Sequence, residues 1–142
     1  MKWILKRQPA CQGLQSGAIN CNKIWICDSL EYDSEPVAGF LCGDLYFHLS
    51  AGVYYLKNEM NVLRGEKLPA LYDNNNNIVS WLVYNNTFVY KNIRLRELND
   101  WVTIGRQTGL NELDNQKNAI VRIMHEIDKV YYRNELLELE IV

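Results

Sequence analysis

Apolar and polar residues alternate with a period of two along several short stretches of this chain, and one longer stretch repeats with the period of a helix. The clearest alternation is Trp81-Leu-Val-Tyr-Asn-Asn-Thr-Phe-Val-Tyr90. Two apolar runs flank Asn85-Asn86, and asparagine tolerates the positive φ of a two-residue primed turn, so the stretch predicts a β-hairpin. Val83 then opposes Phe88, and Trp81 opposes Tyr90. Val79, Trp81, Val83, Phe88 and Tyr90 make an apolar face; Ser80, Leu82, Tyr84, Thr87, Val89 and Lys91 make a mixed one. Past Asn92 the pattern inverts, with Ile93 and Leu95 apolar and Arg94 and Arg96 polar, as at a bulge or where the far face becomes covered.

Val37 to Leu49 predicts a second hairpin with Gly43-Asp44 at its turn. Ala38, Phe40, Cys42, Leu45, Phe47 and Leu49 then share the core face, and His48 falls on the opposite one. Residues 2–6, Lys23–Cys27 and Val53–Leu56 read as further strands. Residues 7–20, with Pro9, Gly13 and Gly17, read as loop. Asp28 to Pro36 carries four acids and no base and reads as an exposed acidic loop. Glu59–Leu63 predicts a helical turn, Gly65 and Pro69 interrupt any longer element, and Asp73–Asn77 is an asparagine-rich surface loop.

Asn115–Tyr132 is the helical stretch: Ile120, Ile123, Ile127 and Val130 fall at spacings of three, four and three, widened by Met124 and Tyr131. Arg122 and Glu126 lie one turn apart on its polar side. Leu137–Ile141 alternates and predicts a last strand with Glu138 and Glu140 outward as edge charges. The expected fold is a single α+β domain over residues 1–142. An antiparallel sheet of hairpins, about five to seven strands, packs against one long C-terminal helix and ends in a short strand.

Composition adds constraints. At 142 residues, 48% hydrophobic and 23% charged, the chain is an ordinary globular one. A formal charge of −2 predicts neither nucleic-acid binding nor a polyanionic tail. No apolar run approaches the ~18 residues of a membrane span. Only Trp3, Ile4 and Leu5 separate Lys2 from Lys6, short of a signal-peptide core of about 7–15 residues, so a cytoplasmic protein is expected. Cys11, Cys21, Cys27 and Cys42 form no C-x-x-C pair; zinc is not expected, and Cys27 and Cys42 read as small buried apolar residues.

Catalytic patterns are incomplete. Cys42 and His48 point to opposite faces of their hairpin. His48-Leu-Ser50 resembles half of a paired His-x-Ser/Thr phosphoesterase motif, but Glu126-Ile127 follows His125. Lys129 stands where H-E-x-x-H requires its second histidine. Neither a Walker-type run nor G-x-G-x-x-G occurs, and no catalytic residue, metal or cofactor is expected. A cysteine-dependent enzyme would need Cys11 or Cys21 beside His125. Val102-Thr-Ile-Gly-Arg-Gln-Thr-Gly-Leu110 resembles the first half of a helix-turn-helix, with Gly105 at a close helix approach and Gly109 in the turn. Residues 102–130 would then serve a DNA-binding regulator. The leading expectation is an intracellular macromolecule-binding protein acting by protein–protein contact, of the inhibitor, immunity or phage and mobile-element accessory kind. Its partner-binding candidates are Asp28, Glu31, Tyr32, Asp33 and Glu35 of the acidic loop, which would speed association with a basic partner, and Tyr84, Arg94 and Arg96 beyond the hairpin.

Overall fold

A computed structural model describes residues 1–11, 13–32, 49–85 and 101–142. Within them lie β1 (Lys2–Arg7), β2 (Leu14–Cys21), β3 (Ile24–Tyr32), β4 (Gly52–Asn61), β5 (Glu66–Tyr72), β6 (Ile78–Val83), β7 (Val102–Gly109), β8 (Glu112–Asp114), α1 (Gln116–Tyr132) and β9 (Glu138–Ile141). The strands run β3-β2-β1-β9-β4-β5-β6-β7, and β7 pairs back onto β3. The ring is therefore a closed eight-stranded barrel, with β8 attached to β7, and the expected open sheet of hairpins is wrong. Alternation says which face of a strand is apolar, but not which strand lies beside it. Two of the neighbours, β1–β9 and β6–β7, are parallel, and no hairpin turn makes a parallel pair.

Register puts one set of side chains inside. Leu5 lies opposite Ile19, and Ile19 opposite Cys27. Leu56 lies opposite Leu71, and Leu5 is level with Ile141. All are buried, together with Trp3, Leu82, Ile104 and Leu139. An eight-stranded barrel is just wide enough for such side chains to fill. The outward positions of β1, β9 and β4 carry Lys2, Lys6, Glu138, Glu140, Lys57 and Glu59, where a membrane-spanning barrel has an apolar band. Among the described residues no helix is long and apolar enough to cross a membrane.

Several local expectations change for related reasons. Residues 14–20, expected as loop, belong to β2; its glycine is required by contact. A Cβ on Gly17 would come within 2.9 Å of the Lys6 carbonyl oxygen and of Ser29 Oγ. Asp28–Tyr32, expected in an exposed loop, continues β3. Glu59–Asn61, expected as a helical turn, continues β4. Pro69 sits inside β5 but just outside the stretch paired with β6, which begins at Ala70, so its missing N–H costs that ladder nothing. Asp73–Asn77 is a tight turn: Asp73 Oδ1 accepts the N–H groups of Asn75 and Asn77. β9 lies between β1 and β4, so Glu138 and Glu140 are not edge charges. Asn85, the first residue of the expected Asn85-Asn86 turn, has a positive φ of 54°. The other arm of that hairpin, and all of the Gly43-Asp44 turn with Cys42 and His48, lie outside the described residues. The described neighbours of β6 are β5 and β7.

The pairings bring Trp25, Gly105, Tyr84, Glu66, Asn58 and Leu137 toward one end of the barrel, and α1 docks there. The Asn58 amide donates to the Met124 carbonyl and to Asp128 Oδ1, at 2.9 and 3.0 Å. The Tyr131 hydroxyl donates to the Leu56 carbonyl at 2.6 Å. Ala119, Ile120, Ile123, Ile127 and Val130 are buried and join the barrel core, the stripe that the 3.6-residue period implies.

Toward the other end the interior turns polar. Arg7 and Glu31, with side chains only 8% and 2% exposed, form a two-pronged pair: Nε to Oε2 at 2.9 Å and Nη2 to Oε1 at 2.7 Å. Arg7 also donates to the Leu49 carbonyl. A buried ion pair is costly to break because one charge is left behind.

Two stability changes follow. Gly17→Ala is expected to lower unfolding free energy by about 1–3 kcal/mol through overpacking, measured by urea titration. Glu31→Leu strands the Arg7 charge and is expected to cost about 3–5 kcal/mol, while adding Arg7→Met to it recovers most of that loss. A double variant no better than Glu31→Leu alone would show that the pair's charge is not what matters.

Candidate functional site

The β2–β3 connection is a two-residue turn with positive φ at both Asn22 and Lys23, 50° and 67°, the primed geometry that fits strand twist. It carries Ile24 and Trp25 to the helix end. Register shifts on β2 between Ile19 and Asn20; Cys27 faces Ile19, Trp25 faces Asn20, and Ile26 is the extra residue. This bulge re-aims Trp25 out of the alternation that buries Cys27. Trp25 Nε1 donates to Asp28 Oδ1 at 2.9 Å. The other Asp28 oxygen accepts the Gln107 backbone N–H at 2.7 Å, so one carboxylate ties the indole to β7.

At Gly105 the strand passes under the start of the helical segment. A Cβ there would lie 2.6 Å from the Asp114 carbonyl oxygen and 3.0 Å from Gln116 Cγ, so only glycine allows β8 and α1 this close. Arg106 grips Asp114 with both prongs, Nε to Oδ1 at 3.0 Å and Nη2 to Oδ2 at 2.7 Å, which holds the Asp114 carboxyl below its usual range. In the second turn of α1, the Arg122 guanidinium lies over the Trp25 ring, 5.5 Å from its centroid. Trp25, Arg106, Asn115, Asn118 and Arg122 surround a cleft of about 260 Å³, floored by Gly105 and Ala119.

Beside this cleft, Tyr84 fastens the β4–β5 tip to the helix. Its hydroxyl donates to the Glu66 carboxylate at 2.8 Å and accepts from Lys117 Nζ at 2.9 Å. Lys117 and Arg64 lie 4.2 and 5.1 Å from its ring centroid, and Arg64 also donates to its carbonyl. The hydrogen bond to Tyr84, with attraction from Tyr84 and Glu66, raises the Lys117 pKa. Tyr84 is thus a structural junction in a cluster of charges.

The residues expected to bind a partner are scattered. Glu31 is inside the barrel on Arg7, where no partner reaches it. Asp28 is held by Trp25 and Gln107. Tyr32 ends β3, and Asp33, Glu35, Arg94 and Arg96 lie outside the described residues. Val102–Gly109 is a strand and not the first helix of a helix-turn-helix; residues 102–130 run strand, short strand, helix. Cys11 is exposed before β2, Cys21 is half-buried at its end, and Cys27 is buried; His125 is exposed on α1. Among the described residues no three His, Cys, Asp or Glu side chains gather as a metal site would require.

Nothing local in the sequence pairs Trp25 with Arg122. Trp25 reads as one more strand aromatic, and Arg122 as one more helix charge. The available signal was the wheel: Asn115, Asn118 and Arg122 repeat at three and four, a polar face with one cation bordering the buried stripe.

Burial pushes the Cys27 thiol up to about 12 from 9.0, against a weaker pull from Arg122. Between those values the unfolded chain releases a proton that the native state keeps, so this group makes stability fall as pH rises through that window. At pH 8 iodoacetamide is expected to label Cys11 in the native protein and Cys27 only after unfolding; peptide mass mapping checks both.

No protein-family model, curated protein or solved structure matches this chain.

Proposed function

We propose that this protein acts by binding another protein through the helix end of its barrel. The supporting observation is where its large apolar side chains are exposed. Nine large apolar side chains among the described residues are more than half exposed: Ile24, Met60, Val62, Leu63, Val121, Tyr132 and Leu136 lie on α1 or on a strand end or turn at the helix end of the barrel, Leu110 is in the β7–β8 turn, and Val142 is at the Arg7 end. Singly exposed apolar residues are ordinary; a concentration of them on one region marks an interaction surface. Trp25 and Arg122 sit among them, the residue types that most often dominate contact energy. The polar junction at Tyr84 and the bidentate Arg106–Asp114 pair hold the surrounding elements in place, which limits the ordering cost of association. An inhibitor or immunity-type protein works by such contacts alone, and that is the class we assign.

A photo-crosslinking residue placed at Leu63, at Val121 and at Lys6 tests the assignment in the native host. Leu63 is in the β4–β5 turn and Val121 on α1 itself; Lys6 is on the outer wall of β1. The expected result is one common protein captured at Leu63 and Val121 and not at Lys6, with Val121→Glu weakening the purified complex by at least about tenfold. Equal capture at all three positions, or capture at Lys6 alone, overturns it.

A further inference from the structure

We infer that the Trp25 cleft receives an acidic side chain of the partner, flanked by apolar residues. This rests on the binding surface just proposed and adds the chemistry of its central contact. Arg122 has no ion pair among the described residues, and its guanidinium lies over an indole. Stacking holds the flat group in place while its edge remains free to donate. Arg106 spends two of its five N–H groups on Asp114 and keeps the rest. The side-chain amides of Asn115 and Asn118 have no protein hydrogen-bond partner among the described residues. The cleft lining holds two guanidinium groups and two amides, and no carboxylate. Its unmet hydrogen-bonding capacity is therefore mainly donor capacity, and its one charge without an ion pair among the described residues is the Arg122 guanidinium.

The shape and surroundings favour a carboxylate on a protein over the phosphates of a nucleic acid. The chain carries a formal charge of −2, and Asp28 and Asp114 stand directly behind the cleft, so a polyanion gains little from long-range attraction. One carboxylate needs only the local donors. Ile24, 71% exposed, and Val121, 57% exposed, are the chain neighbours of Trp25 on β3 and of Arg122 on α1. Apolar side chains either side of the partner's acid would cover them and shut water away from the charge pair, which strengthens it.

The test uses the full chain, labelled with 15N, and the peptide acetyl-Ser-Leu-Glu-Leu-Ser-amide. Its glutamine counterpart, inorganic phosphate and a short DNA duplex serve as comparisons. The glutamate peptide is expected to shift the Trp25 indole N–H and the Arg122 Nε–H resonances, and the glutamine peptide to leave them in place. Arg122→Gln should weaken binding by about tenfold or more, with Arg122→Lys between the two because a point charge replaces the fork. Both substitutions are on an exposed helix position, and unchanged spectra elsewhere confirm the fold. Equal shifts from both peptides, no shift at millimolar glutamate peptide, or a response to phosphate or duplex in place of the peptide overturns the inference. If Leu63 and Val121 still capture the same protein in an Arg122→Gln background with undiminished affinity, the acid contact fails while the binding surface stands.

Discussion

Closure of the ring rests on three residue pairs, Asp28 with Gly105, Ser29 with Ile104 and Leu30 with Thr103. Without them β3 and β7 would each end the sheet with a row of unpaired backbone groups. Ser29 and Ile104 would also lose the opposite wall that buries them. The same three pairs make the interior a sealed volume. An Arg7–Glu31 pair gains from low dielectric only where water is kept out, and its hydrogen bonds satisfy the charges there. β7 is the strand through which these requirements meet, since it pairs with β6, β3 and β8.

The candidate site is a by-product of that junction. β7 closes the barrel with the residues before Gly105 and then pairs with β8, which leads into α1. Asp28 belongs to the closing pairs through its backbone. Through its carboxylate it holds both Trp25 and the first residue of β7 past Arg106. The aromatic anchor of the surface and the seam of the barrel therefore share one side chain. A substitution at Asp28 would act on both, whereas Arg122 touches only the surface.

Local periodicity carried the parts of the fold that depend on one element at a time. The helix begins at Gln116, one residue from its expected start, because Ile120, Ile123 and Ile127 repeat at its period; Leu139 and Ile141 likewise face inward as alternation requires. What failed depended on partners distant in sequence. Glu31 reads as a loop acid until Arg7, 24 residues away, is known to meet it. Gly17 reads as a loop breaker, although the backbone of Lys6 is what demands it. Gly105 and Gly109 suggested a helix turn, whereas Gly105 serves a close crossing of strand and helix start. Trp25 and Arg122 are legible separately as an aromatic and a cation; only closure of the barrel and docking of α1 bring them face to face.

The place of β9 sets a schedule for folding. It is the last strand in the chain, yet it sits between β1, the first, and β4. During synthesis at about 5–20 residues per second, β1 waits on the order of ten seconds for its parallel neighbour. Until then the barrel lacks one stave, and the facing edges of β1 and β4 are open to each other and to other chains. Pairing the two directly would leave Leu139 and Ile141 no slot in the wall. The charged outward residues Lys2 and Lys6 on β1 and Lys57 and Glu59 on β4 flank this gap, where they disfavour premature or intermolecular pairing while the last strand is still to arrive.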